Sequence, residues 1–341
     1  MGGLVLLILL AMVGAMVFGA VSIGWKNVFI ILIDTLPFAS LSAGIEISPT
    51  HEDILLQIRL PRVLLAAAVG SSLAVSGAVF QGLFRNPMAD PYVIGISSGA
   101  ALGAVFAMLS GFSLAVGGFG AVPLFAFGGG IGTILVVYNM ARVGQAVPVM
   151  TLLLAGIAAS AFLSALVSLL TYFAGEKLHM VVFWMMGGLG GATWQQVQVM
   201  VPYALAGYIC VSLFSRELNA MLLGEETASH LGVNTERVKK ILLTGSSLLV
   251  AAAVSTSGII GFVGLVVPHF VRLVAGPDHR FLLPASALLG GALLIATDTL
   301  ARVVIAPSEL PVGIITSLIG APIFVYLLKK RKQLRYFGGG G

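Results

Sequence analysis

VMTLLLAGIAASAFLSALVSLLTYF, residues 149–173, runs its whole length without a charged side chain. Its apolar residues fall on every face of a helix, so no orientation of that helix at an aqueous surface would hide them. The length suits a hydrocarbon layer of ~30 Å, which takes about 20 helical residues to cross. A barrel strand would instead alternate apolar and polar residues over about ten positions. Runs of the same kind lie on both sides, at 4–24, 60–83, 92–110, 114–140, 195–215, 237–258, 262–275, 281–305 and 310–330. The fold class is therefore all-α, a polytopic membrane protein with about ten transmembrane helices forming one transmembrane domain over 1–341. Two runs fit less well. The one at 114–140 is long and rich in glycine, and the one at 262–275 is too short to span unless it extends into its neighbours.

Composition agrees. The chain is 58% hydrophobic and 9% charged, against roughly a quarter charged in a soluble domain, and its mean hydropathy is +1.06. Its 43 glycines lie mostly inside the apolar runs, where small residues let membrane helices approach closely. The net charge of +5 is not accompanied by an aromatic and basic surface, so it does not point to nucleic acid. Cys210 stands alone inside an apolar run, which leaves no disulfide framework or cysteine-based metal site and makes it packing filler. Residues 2–23 have no basic leader, although Phe18-Gly19-Ala20 faintly resembles a cleavage site; the stretch reads as a retained first helix.

Ten spans place both termini on one side. Of the 18 basic residues, only Lys26, Arg59, Arg62, Lys177 and Arg302 fall on the opposite side. All others, including Arg85, Arg142, Lys239, Arg272 and the cluster at 329–335, share the side of the termini. The positive-inside rule makes that side the cytoplasm. Gly338 to Gly341 read as a disordered tail.

The longest polar interruption on the predicted cytoplasmic side is 216–236. Leu218, Met221, Leu222 and Leu231 form an apolar stripe, and Gly224 and Gly232 supply breaks, so short amphipathic helices outside the bilayer are expected. Periodicity alone allows two roles: a docking element for a cytoplasmic partner, or an interfacial helix resting on headgroups.

This segment resembles the coupling region of the FecCD-type permeases, which import iron-siderophores, haem and vitamin B12 as partners of ABC ATPases, and is similar to that of the vitamin B12 permeases among them. The resemblance is carried, in order, by Arg59-Leu-Pro-Arg62, Gly77-Ala-Val-Phe-Gln81, Arg85-Asn-Pro-Met-Ala-Asp-Pro91 and Leu152-Leu-Leu-Ala-Gly156. It continues through Trp184-Met-Met-Gly-Gly188, Gly261-Phe-Val-Gly-Leu-Val-Val-Pro-His269, Asp278-His-Arg280 and Glu309-Leu-Pro-Val-Gly313. The first run and the loop at 25–53 carry little of it. The resemblance implies the type II ABC importer permease fold, a homodimer with the path between subunits, two ABC ATPases beneath it and a substrate-binding protein outside. On that reading 216–236 couples to the ATPase through Arg216, Glu217, Leu218, Met221, Leu222, Gly224, Glu225, Glu226, Ala228, Leu231 and Gly232.

By the same resemblance Arg59, Arg62 and Arg302 are sockets for acidic residues of the binding protein. Two ordinary readings stand beside it. Arginines at helix ends snorkel to the interface, and Asp298, four residues before Arg302, lies on the same helix face. Asn86 and Met88 match the family's cytoplasmic gate together with Val149 and Met150. Flanked by Pro87 and Pro91, the first pair also reads simply as a stiff turn.

No two of His51, His179, His230, His269 and His279 have metal-site spacing, and no phosphate-binding GxxxxGK[ST] loop occurs. His51-Glu52-Asp53 and Glu176, Lys177 and His179 read as solvated outer-loop clusters, and Trp184 as an interfacial anchor. No cofactor is expected, and ATP hydrolysis is assigned to a partner chain. Asp298 is the one acid clearly within a span, a poor basis for the rival reading of an ion-gradient-driven secondary transporter. The expected activity is alternating-access import of a metal chelate (iron-siderophore, haem or cobalamin, with oxyanions behind them) across the inner membrane.

Overall fold

The computed structural model describes residues 1–35, 48–112, 114–116, 119–144 and 146–337. The expected tail at 338–341 and the middle of the first predicted outer loop lie outside the described residues, as do the side chains of Lys330, Arg331, Lys332 and Arg335.

The chain opens with α1 (Gly2–Val17), α2 (Trp25–Asp34) and α3 (Pro49–Asp53), which continues through a π-helical turn (Ile54–Arg59) into α4 (Leu60–Leu83). Pro61 has no N–H to give Gln57, so the helix widens just before it. Next come α5 (Ile96–Ser110), the two-residue strands β1 (Ala115–Val116) and β2 (Phe119–Gly120), α6 (Ala121–Ala141), α7 (Val149–Tyr172), α8 (Leu178–Met185) and α9 (Trp194–Ser212). A Thr193–Gln196 capping box starts α9. The rest is α10 (Ser215–Leu222), α11 (Glu225–His230), α12 (Thr235–Ser257), α13 (Val263–Ala275), α14 (His279–Val303) and α15 (Val312–Phe337).

Each apolar run yields a helix, and the differences have causes. The run at 114–140 divides, because Ala115 and Val116 pair with Gly120 and Phe119 as a hairpin before the helix begins. The short run at 262–275 does not extend: Gly258 is left-handed at φ 68° and ends α12, so α13 keeps 13 residues. The run at 92–110 turns helical only at Ile96, after left-handed Gly95. At 1.5 Å per residue neither α5 nor α13 crosses ~30 Å. The stretches ahead of them meet inside the bundle instead, where the Tyr92 hydroxyl donates to the Ile260 carbonyl at 2.9 Å and Pro91 lies against Gly264. Irregular backbone is tolerated at such depth when protein surrounds it.

Helix α4 is the centre, with 83% of its apolar window buried against 17% for α7. A methyl on Gly70 would overlap the Gly290 carbonyl of α14, and one on Gly77 the Gly264 carbonyl of α13. Three polar side chains of α4 each reach a different neighbour: Ser71 donates to Ala287 O (2.7 Å), Ser76 to Ser246 O (3.1 Å) and Gln81 to Leu265 O (3.1 Å). In lipid, close backbone contact and such bonds replace the hydrophobic drive that holds soluble bundles.

Candidate functional site

Four charged side chains converge where α4 begins. Arg62 donates Nε and Nη2 to Asp298 (2.9–3.1 Å) and Nη1 to both oxygens of Glu309 (2.9 and 3.1 Å). Arg302 Nε lies 3.2 Å from Asp298 Oδ2, and its Nη2 donates to Ala15 O and Thr299 Oγ1. Arg59 is next to them and donates to the Met16, Val17 and Val21 carbonyls, where α1 ends. Its guanidinium fills the space a Gly19 side chain would need.

The three arginines expected as open sockets are therefore turned inward, at 4%, 5% and 5% exposure. An unpaired guanidinium in apolar surroundings is expensive, so each is drawn to the nearest carboxylate or free helix-end carbonyl. The local Asp298–Arg302 pair that the sequence allowed is present, and Arg62 joins it.

The other end of α4 meets the 216–236 segment. Helices α9 and α10 are bent by 51° at residues 213–214, and α10 and α11 form as expected, separated by Gly224 at φ 120°. Leu218, Met221 and Ala228 are buried, but Leu231 is 64% exposed, so the stripe does not include it. It lies beyond α11, where the helical period has ended. Glu217, Leu222 and Glu225 are half-buried, and Arg216, Glu226 and Gly232 exposed.

Asn219 is the anchor of α10. Its amide donates to Asp278 Oδ1 (2.7 Å), and its carbonyl accepts from His279 N (2.9 Å) and lies 2.8 Å from His279 Nδ1. Asp278 caps α14, and bonds from Arg280 and Asn219 hold its carboxyl well below the usual carboxylate range. The His279 ring reaches Gly82 of α4.

A further buried cation ties α11 and α12 to the stretch ahead of α7. Lys239 of α12 pairs with Glu225 of α11 and Glu236 of α12, and donates to Val147 O at 3.3 Å. Glu236 accepts from Val147 N at 3.1 Å, so the N–H and the carbonyl of Val147 are both clamped. Val147 lies just ahead of Val149 and Met150. Of the four expected gate residues, Met150 is exposed and Val149 half-buried at the start of α7. Asn86 accepts from Met88 N at 3.0 Å, forming the stiff turn. No hydrogen bond among the described residues joins the two pairs within one chain.

A groove of about 990 Å³ between α5, α6 and α7 is floored by Gly99, Gly103 and Gly129 and walled by Phe106, Phe125 and Phe162. Thr133 is its one polar lining side chain, and its hydroxyl is bonded to Gly129 O. Among the described residues no cluster of three or more His, Cys, Asp or Glu suits a metal.

Other expectations shift in detail. Lys177 leaves its loop cluster to cap α5, donating to Met108 O and Leu109 O. Trp184 packs half-buried on the core, its carbonyl against Gly258. Cys210 faces Gly245 of α12, as filler does. Glu309, Asn219 and the Lys239 clamp were not singled out as site residues. Glu309 had a visible signal, an acid inside a quoted motif next to a segment with few acids.

The FecCD transport family model matches residues 5–330. The cobalamin import system permease protein BtuC of Halobacterium salinarum is 49% identical, over 83% of this chain and 75% of its own length. The hemin transport system permease protein HmuU of Yersinia pestis is 46% identical, over 83% and 85%. The molybdate import system permease protein MolB of Haemophilus influenzae is 40% identical, over 86% of each. A solved structure described as an inward-facing conformation of a metal-chelate type ABC transporter superposes with a TM-score of 0.82 at 34% identity, covering 96% of this chain and 98% of that one. The chain therefore belongs to the FecCD transport family and is a multi-pass membrane permease.

Proposed function

We propose that this chain is the permease of an ATP-driven importer of metal chelates, working as a homodimer with two ABC ATPases at 216–236 and a substrate-binding protein at the opposite face. Both termini and α10–α11 are cytoplasmic on this reading, in keeping with the basic loop bias. The observation that carries it is the Lys239 clamp. One buried ammonium joins α11, where the motor would dock, to the peptide that precedes Val149 and Met150, where the path would close. Closure of the ATPases would move α10 and α11 as levers, Asn219 drawing on α14 and Lys239 on the start of α7.

The sparsely buried face of α7 fits a surface completed by a second copy. Asn86, Met88, Val149 and Met150 are then a cytoplasmic gate across the dimer axis. The groove between α5, α6 and α7 presents no charged group, so recognition of a particular chelate falls to the binding protein. Iron-siderophore, haem and cobalamin are the proposed cargo classes. The test is uptake and ATPase stimulation in proteoliposomes holding permease, ATPase and binding protein, with ferric siderophore, hemin, cobalamin and molybdate as the panel. ATP hydrolysis that rises with loaded binding protein is expected. Uptake that survives loss of the ATPase and collapses with the proton gradient would overturn the importer reading.

A further inference from the structure

The Arg62 guanidinium has two occupied edges of different character. Nε and Nη2 face Asp298, whose side chain is 1% exposed and which also holds Arg302. Nη1 faces Glu309, whose side chain is 42% exposed. Arg62 is the one hydrogen-bonding partner of the Glu309 carboxylate among the described residues. Asp298 is held in α14 by two arginines, whereas Glu309 sits beyond the end of α14 with one face in water. Behind this contact lies Gly190, exposed; even a Cβ there would come within 3.4 Å of Glu309 Oε2 and 4.0 Å of Arg62 Nη1. The missing side chain leaves the Arg62–Glu309 contact open on that side.

Charge is also unbalanced. Among the described residues, Arg59, Arg62 and Arg302 face only Asp298 and Glu309, and Arg59 is met by neutral carbonyls. Within that set one positive charge is left over, which favours the approach of an acidic surface and disfavours a basic one.

We propose that the Nη1 edge of Arg62 is an exchangeable carboxylate seat. Glu309 fills it in the free permease, and a glutamate or aspartate of the docking protein fills it in the complex, displacing Glu309 into water. The proposal rests on the docking reading above and adds the step by which a buried arginine becomes available. Exchange of one carboxylate for another keeps the guanidinium paired throughout, which avoids the uncompensated buried charge that opening the cluster outright would create. It also makes docking a competition, so the internal acid sets the affinity.

The test is the affinity of the assembled permease–ATPase complex, in nanodiscs, for the substrate-binding protein of the same system. Glu309→Gln keeps the shape and removes the competing charge, and binding is expected to tighten by about tenfold. Glu309→Asp keeps the charge but shortens the reach, and should tighten binding by a smaller factor. Arg62→Ala should weaken binding by tenfold or more, on the order of a lost charge-pair contact. If Arg62→Ala leaves affinity unchanged, the docking reading itself is wrong. If Arg62→Ala weakens binding while both Glu309 variants are unchanged or weaker, docking stands and the exchange is refuted. Tighter retention of phosphatidylglycerol by Glu309→Gln, without any gain for the binding protein, assigns the seat to a headgroup phosphate and also overturns the proposal.

Discussion

At one end of α4 a buried arginine is forked between Asp298 and Glu309; at the other a buried lysine is set between Glu225 and Glu236. Both cations are about 5% exposed at the side chain, yet their partners differ. Asp298, which two arginines share, is sealed and only Glu309 opens to water, whereas Glu225 and Glu236 both do, at 37% and 39% exposed. A guanidinium presents two planar edges and fixes the direction of each partner, whereas an ammonium is a point charge on a flexible stem. The arginine cluster thus ties α4, α14 and the end of α1 into one unit. The lysine cluster holds α11, α12 and the start of α7 through contacts that can change length without breaking. One end is built to stay together and the other to transmit a displacement.

The sharpest way to break that comparison is Asp298→Asn. It leaves Arg62 and Arg302 without the carboxylate they share and is expected to cost about 3–5 kcal/mol, as when one partner of a buried pair is removed. Denaturant or thermal unfolding of the detergent-solubilised protein measures it. A loss under about 1 kcal/mol would mean that water reaches the cluster and that it is not the rigid end. Asn219→Ala comes next. It strips two bonds from His279 and one from Asp278, for about 1–3 kcal/mol, and should separate ATP hydrolysis from uptake, since α10 would lose its hold on α14. Retained coupling in proteoliposomes would exclude Asn219 as the link.

Lys239→Met should cost less, about 1 kcal/mol, because both released carboxylates can turn to water while the methionine stem fills the same space. Its effect on transport should be the larger one, with ATPase activity kept and uptake per ATP reduced. If it destabilises the fold as much as Asp298→Asn does, the two clusters are alike and the contrast fails.

What the sequence revealed follows the range of the interactions. The apolar runs were legible because a bilayer imposes one length on every helix, and α4 and α7 start where their runs do. The Asp298–Arg302 pair was legible because four residues make one helical turn. Glu309 was not assigned to Arg62 because 247 positions separate them, and no local pattern carries that distance. The same limit hid the burial of the arginines: Arg59, Arg62 and Arg302 are helix-end charges in the sequence, and only the fold shows the carboxylates and carbonyls that enclose them. Lys239 counted only as one basic residue of the positive side, although its two acids are close in sequence, because the spacing between Glu225 and Lys239 crosses a turn and not a helix. The π turn that carries Arg59 was not foreseen either, although its cause, the missing N–H of Pro61, is local.

The smallest expected change in stability is at Leu231, and it separates surface from core within the 216–236 segment. Leu218 and Met221 are buried among α4 and its neighbours, whereas Leu231 and Leu223 are 64% and 68% exposed. Leu231→Ser should leave unfolding within about 0.5 kcal/mol of the parent, because it removes no packed contact. Leu223 and Leu231 are the apolar surface this end of the bundle offers a docking partner on the proposed reading. Binding of the ATPase should therefore weaken while the permease itself stays intact, and ATPase co-purification at graded salt reads this directly. If Leu231→Ser and Leu223→Ser together leave assembly untouched, the apolar residues at this end face lipid headgroups. The lever would then have to be gripped elsewhere, through the charges of Arg216, Glu217 and Glu226.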